Sequence, residues 1–247
     1  MFSKSHTKYI QSLHHKKFRD EFGVFIAEGP KLVEEFLNAP GLICRELFAL
    51  PVWLEKNEQM VAAKQVQELY EVKDFELEKI SALATANQVL AVFEKLFTDE
   101  SPDISGKITL ALDTIQDPGN MGTIIRIADW FGIQHIFCSE GCADIYNPKV
   151  VQSTMGSLAR VNIVYGNLGD WITRHKKIKT YAAALNGRAI KEIGQLSEGI
   201  LIIGNESKGI NEDILQMAGE KIVIEKKGAA ESLNAAVATG ILLSHLT

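Results

Sequence analysis

From Lys107 onward the chain alternates short apolar runs with longer amphipathic stretches, and that alternation restricts the fold more than any other feature. The runs Lys107–Leu112, His135–Cys138, Val161–Tyr165, Thr180–Leu185, Gly199–Ile203 and Lys221–Ile224 are short and bounded by turn residues, which predicts strands. Helices are predicted between them, from about Met121 to Phe131 and over Pro148–Met155, Leu168–His175 and Glu212–Ala218. An apolar helix, Ala235–Leu246, follows the last strand. Strands apolar on both faces with helices between them specify an α/β fold built on a mostly parallel sheet. Ligands of such sheets bind beyond the carboxyl ends of the strands, so the loops there are where chemistry is to be sought.

The first 96 residues read as a separate small α/β module. Strands are expected at Arg45–Leu50 and Gln88–Glu94, and helical spacing runs over Lys31–Asn38 and Phe75–Leu83. The stretch Phe97–Gly106 is polar, acidic and broken by Pro102 and Gly106, the pattern of a linker. The expected organisation is 1–96, a linker 97–106, and 107–247. No apolar run approaches the length of about 20 residues that a membrane helix needs. The opening Met1-Phe2-Ser3-Lys4 lacks a secretory core, so the cytoplasm is the expected address. Three cysteines (Cys44, Cys138 and Cys142) are too few for a disulfide framework and lack partners for a zinc set, so no metal is expected.

The formal net charge of −5 argues against bulk attraction to nucleic acid, but the charge is unevenly spread. Residues 1–20 carry Lys4, Lys8, Lys16, Lys17 and Arg19 against Asp20 alone. Residues 170–191 are also basic, whereas 46–103 hold twelve acids and five bases. The basic amino-terminal segment is thus a candidate phosphate-contacting surface, with solvated helix faces as the plainer account.

Neither G-x-G-x-x-G after the first strand nor G-x-x-x-x-G-K-[ST] occurs, which disfavours a Rossmann dehydrogenase and a P-loop ATPase. Three strand-end loops instead carry polar residues that packing does not require. In Asp117-Pro118-Gly119-Asn120-Met121-Gly122, Pro118 and Gly119 suggest a turn and Asn120 a helix cap, with Arg126 following on the helix. Gly204-Asn205-Glu206-Ser207-Lys208-Gly209 turns a buried strand into a polar, glycine-bracketed loop. Gly228-Ala229-Ala230-Glu231-Ser232-Leu233-Asn234 precedes the last helix, where Ser232 or Asn234 could cap.

Together these loops resemble the motifs of the SpoU (TrmH) family of RNA 2′-O-ribose methyltransferases, in the SPOUT superfamily. Asn120, Gly122 and Arg126 are similar to its first motif, Gly204-Asn205-Glu206 with Gly209 to its second, and Glu231-Ser232-Leu233-Asn234 to its third. Asn147-Pro148-Lys149 with Ser153, Met155, Gly156 and Ser157 resembles a segment between them, and Phe25–Val33 the family's substrate-binding module. One departure is visible: Glu225-Lys226 after Ile224 stand where the family usually has Pro-Met.

The resemblance implies a carboxyl-terminal trefoil-knot domain, preceded by a ribosomal-protein L30e-like α/β domain, acting as a homodimer. It implies S-adenosylmethionine as cofactor, contacted by Leu185, Gly204, Ile224 and Leu233. It implies a catalytic set of Arg126, Asn120, Glu206, Ser232 and Asn234 acting on structured RNA, ribosomal more than transfer RNA. Lys4, Lys8, Lys16, Lys17 and Arg19 are the expected RNA contacts. A guanidinium is a poor base at neutral pH, so two accounts of Arg126 stand open: it takes the ribose proton, or it orients phosphate. The competing expectations are a transfer-RNA enzyme, a base methyltransferase on the same knot, and a non-catalytic RNA-binding or ribosome-assembly factor.

Overall fold

A computed structural model describes residues 3–64 and 66–247; Met1 and Phe2, part of the amino-terminal stretch read above, lie outside the described residues, as does Gln65. The chain divides into two compact units, one of Met1–Phe97 with Asp144–Ala159, the other of Thr98–Ala143 with Arg160–Thr247.

The first unit runs α1 (Lys4–Ser12), α2 (Lys16–Phe22), β1 (Val24–Glu28), α3 (Pro30–Asn38), β2 (Cys44–Ala49), α4 (Pro51–Ala63), β3 (Val66–Glu71), α5 (Asp74–Ile80) and β4 (Val89–Glu94). Its sheet order is β1-β4-β2-β3, with β2 and β3 parallel and the other pairs antiparallel. Local chemistry sets the boundaries. The Ser3 hydroxyl accepts from His6 N at 3.2 Å to open α1, Gly23 closes α2 at φ 66°, and Pro30 and Pro51 occupy the first turns of α3 and α4. β1 is buried along its whole length, because α3 and the later helix Pro148–Thr154 pack on it. Phe25 of β1 meets Phe36, Phe93 and Tyr146 at ring separations of 5.1–5.7 Å.

Arg19 corrects an expectation. It is only 2% exposed, and its guanidinium donates to Leu13 O, His14 O and, at 2.6 Å, Asp144 Oδ2. It holds the α1–α2 turn to the segment 144–159 and is not presented to solvent. Lys4, Lys8, Lys16 and Lys17 are exposed, but the segment does have acidic partners: Asp20 pairs with Lys16 and with Lys95, each at 2.5 Å.

The second unit runs β5 (Ile108–Asp113), α6 (Pro118–Trp130), β6 (His135–Ser139), then, beyond α7 (Pro148–Thr154, clustered with the first unit), β7 (Asn162–Gly166), α8 (Leu168–Arg174), β8 (Thr180–Ala189), β9 (Gly199–Gly204), α9 (Glu212–Met217), β10 (Glu220–Val223) and α10 (Ala235–Leu246). All pairings in the sheet, order β10-β8-β9-β5-β6-β7, are parallel. The chain builds outward from β5 to β7, then returns to place β9 on the other side of β5. The strand order therefore switches between β5 and β9, which is where such sheets open a crevice. The stretch read as a linker is packed: Ile104 is 2% exposed in the core, and Asp99 exchanges backbone bonds with the Asn162 amide at 2.9 Å. One buried isoleucine anchors it against its polar composition.

Candidate active site

At the switch point, the last residue of β5 pairs with the last of β9, Asp113 with Gly204. Asp113 is 5% exposed, and its Oδ2 accepts from Asn211 N at 2.6 Å, tying the β5 end to the loop after β9. Thr114 follows with φ 58°, steadied by its hydroxyl on Asp113 Oδ1 and its N–H on Ser139 Oγ, both at 2.9 Å.

The loop after β9 is a tight backbone hairpin: Asn205 and Gly209 exchange both N–H···O bonds, at 3.0 and 2.9 Å. Asn205 Nδ2 donates to Thr114 O, and Asn205 Oδ1 accepts from Ser207 N and Lys208 N. A Cβ on Gly204 would lie 2.4 Å from both Gly209 C and Ile210 N, so only glycine lets this hairpin close. Asp113 was not among the sequence candidates, and Asn205 was named there only as part of the second loop, with no role of its own. An acid ending an apolar strand and an asparagine opening the loop were the signals available.

Asp117, not Asn120, caps α6: its Oδ1 accepts from Asn120 N at 2.8 Å, and Pro118 and Gly119 form the first helical turn instead of a separate turn. This frees the Asn120 side chain. Its amide donates to Glu206 Oε1, and its Oδ1 accepts from Asn234 Nδ2 at 2.7 Å. Asn234 Oδ1 caps α10 by accepting from Ala236 N and Val237 N. A continuous chain of side-chain bonds, Asn234 to Asn120 to Glu206, thus joins all three loops. Because every donor amide in it points one way, the Glu206 carboxylate ends the chain as its acceptor.

Arg126 lies on α6 beyond this chain. It is exposed, and among the described residues its guanidinium has no hydrogen-bond or ion-pair partner. Ser232 is exposed beside Asn234. Of the apolar candidates, Leu185 is 79% and Leu233 45% exposed, while Ile224 is half-buried just past β10. β8 pairs with β9 only through Ala182 and with β10 again from Arg188, so Leu185 sits where the sheet is locally open. The structure joins Asn120, Glu206 and Asn234 by direct contact; it gives no bond linking Arg126 or Ser232 to them.

No group of three or more His, Cys, Asp or Glu among the described residues could hold a metal ion. The cysteines are free. Cys142 Sγ accepts from Ile115 N at 3.3 Å, and hydrogen bonding from Cys138, Ile115, Ser139 and Thr114 overcomes burial to lower its thiol to about 7. No helix among the described residues is long and apolar enough to cross a membrane.

A parallel α/β unit with three polar loops meeting at its switch point, together with a smaller mixed-sheet unit, defines a two-part protein. Residues 107–244 match the SpoU rRNA Methylase family, and residues 4–91 the MRM3-like substrate binding domain. The chain belongs to the SpoU rRNA Methylase family. It is 34% identical over 245 residues to the 23S rRNA (guanosine(2553)-2′-O)-methyltransferase RlmP of Bacillus subtilis, covering 96% of this chain and 93% of that protein. Among solved structures, a TrmH-family RNA methyltransferase from Porphyromonas gingivalis superimposes with a TM-score of 0.87 at 37% identity, over 99% of this chain and 97% of that one. An AdoMet-bound rRNA methyltransferase from Sinorhizobium meliloti superimposes with a TM-score of 0.85 at 31% identity, over 98% and 95%.

Proposed function

We propose that this protein transfers a methyl group from S-adenosylmethionine to a ribose 2′-hydroxyl of ribosomal RNA. The observation that carries the reading is the Asn234–Asn120–Glu206 chain, which assembles three separate loops into one polar surface at the switch point. The donor set suits the cofactor. The Gly204–Gly209 hairpin offers backbone groups, and Leu185, Leu233 and the half-buried Ile224 leave apolar surface uncovered, as a purine ring requires. These four positions, Leu185, Gly204, Ile224 and Leu233, would hold it. When bound, it supplies an electrophilic methyl on a sulfonium, and the transfer needs no metal.

The protein's part is placement. Arg126, with an uncommitted planar fork, orients the ribose hydroxyl and the neighbouring phosphate, and the hydroxyl proton passes to solvent. Asn120 and Asn234 fix the first and third loops against each other, Glu206 anchors them to the second, and Ser232 adds a hydroxyl beside the nucleophile. Residues 107–247 act as the catalytic domain, their chain threaded as a trefoil knot. The 1–96 module presents RNA through Lys4, Lys8, Lys16 and Lys17, and 97–106 joins the two. The expected address is the cytoplasm.

Labelled S-adenosylmethionine, ribosomal RNA and the protein, incubated with chelator, should place label in alkali-resistant dinucleotides, because a 2′-O-methyl group blocks alkaline cleavage. Label released in mononucleotides would mean base methylation and end the ribose reading. Replacing Lys4, Lys8, Lys16 and Lys17 with Ala should lower the slope of log affinity against log salt by about 2–4, since each phosphate contact contributes about 0.7–0.9. An unchanged slope would remove these lysines from the RNA surface.

A homodimer is part of the proposal. α10 packs on α6 and buries Ala236, Thr239 and Leu243, yet leaves Val237 51% and Ile241 40% exposed, one turn apart, with Leu233 just before them. Sedimentation at micromolar concentration should give a dimer, and Val237→Glu with Ile241→Glu a monomer. A monomeric wild type refutes it.

A further inference from the structure

The first unit carries a second concave surface whose chemistry is opposite to that of an RNA contact. A cleft of ~980 Å³ opens at the carboxyl ends of β2 and β3, where α4 and α5 begin. Among its described lining residues Glu71, Asp74, Glu76 and Glu78 stand against one cation, Lys73. Glu76 is 7% exposed: its Oε2 accepts from Lys73 N at 3.1 Å, while among the described residues the buried Oε1 has no hydrogen-bond partner. A buried carboxylate oxygen without a donor is a costly arrangement that a cationic donor would relieve. Val52 and Phe75 form an apolar rim, each 46% exposed. The Lys79 ammonium already lies 5.1 Å from the Phe75 ring centroid, so the ring face accepts cations. Beside the cleft, β3 ends the sheet order, and Gln67, Glu68 and Leu69 on it are exposed.

We propose that this cleft docks a basic, extended segment of a protein partner, one Lys or Arg side chain seated among the carboxylates and against Phe75, its backbone running along the free edge of β3. Phosphate is repelled here by four carboxylates. A metal ion is disfavoured, since no three acids are placed to coordinate one among the described residues. An apolar rim beside dispersed acids instead suits a side chain with an aliphatic stem and a charged head.

The test uses the full chain and a fluorescein-labelled, end-blocked octapeptide of alternating Arg and Val, followed by anisotropy. Glu71→Gln, Asp74→Asn and Glu78→Gln together should weaken binding about tenfold, as expected for three partly exposed ion pairs. A control with the same change in net charge, Glu100→Gln, Glu212→Gln and Asp213→Asn, should stay within about twofold. Phe75→Ala should weaken binding with methyl transfer unchanged. Equal losses in both triple variants would mean bulk charge attraction and overturn the proposal. Displacement by MgCl₂ beyond that by KCl of equal ionic strength would assign the cleft to a metal and overturn it too.

Discussion

Arg126→Ala is expected to lower single-turnover methyl transfer by about 10²–10⁴-fold, the range seen when an oriented transition-state contact is lost. Affinity for S-adenosylmethionine should stay nearly intact. The reason is positional. Arg126 has no partner among the described residues, so removing it breaks nothing within the fold, and its stability should change by well under about 1 kcal/mol. Its proposed contacts are to ribose and phosphate, not to the methyl donor. Arg126→Lys should fail almost as badly, because a point-charge ammonium cannot reproduce the fork. Transfer measured alongside cofactor calorimetry decides the matter. A lysine variant at the wild-type rate would reduce Arg126 to a source of charge, and loss of cofactor affinity in the alanine variant would move it to the methyl donor.

The second large effect is on stability. Arg19→Ala should cost about 3–5 kcal/mol, since it strands the Asp144 carboxylate and two carbonyls that the guanidinium now satisfies. Urea unfolding, with hydrogen exchange assigning the loss to residues 3–97, is the measurement. If Arg19 were instead an RNA contact, stability would be unchanged and only RNA affinity would fall. That outcome would restore the sequence-based expectation.

The strands and intervening helices after Lys107 were legible because most of the strands, such as β5 and β9, are buried and apolar along their length, a pattern that periodicity detects. The first unit was less so. β1 and β3 were not anticipated: β1 is a four-residue apolar run ending in Glu28, next to a Gly-Pro helix start, and β3 is a polar edge strand with little apolar signal. The short helices α1 and α2 are rich in Lys and polar residues, which hides them among loop-like compositions. Among site residues, the loops could be read but not their partners. Asn120 was expected to cap α6, and Asp117, three residues earlier and before proline, does so instead. Arg19 was indistinguishable in sequence from its exposed neighbours, because only the distant Asp144 and the burial around it separate the roles.

The bonds that unite the three loops span great distances along the chain: Asn120 to Glu206 across 86 residues, and Asn234 to Asn120 across 114. Contacts of such separation form late, after the loops between them have closed. The polar surface at the switch point therefore cannot exist while the chain is being made, even once β5, α6 and β6 have emerged from the ribosome. A nascent chain stopped short of Asn234 would hold most of the sheet yet leave Asn120 without its third-loop partner. The proposed site thus gains its third-loop tie only when the last residues of the sequence, those beyond Asn234, have been made.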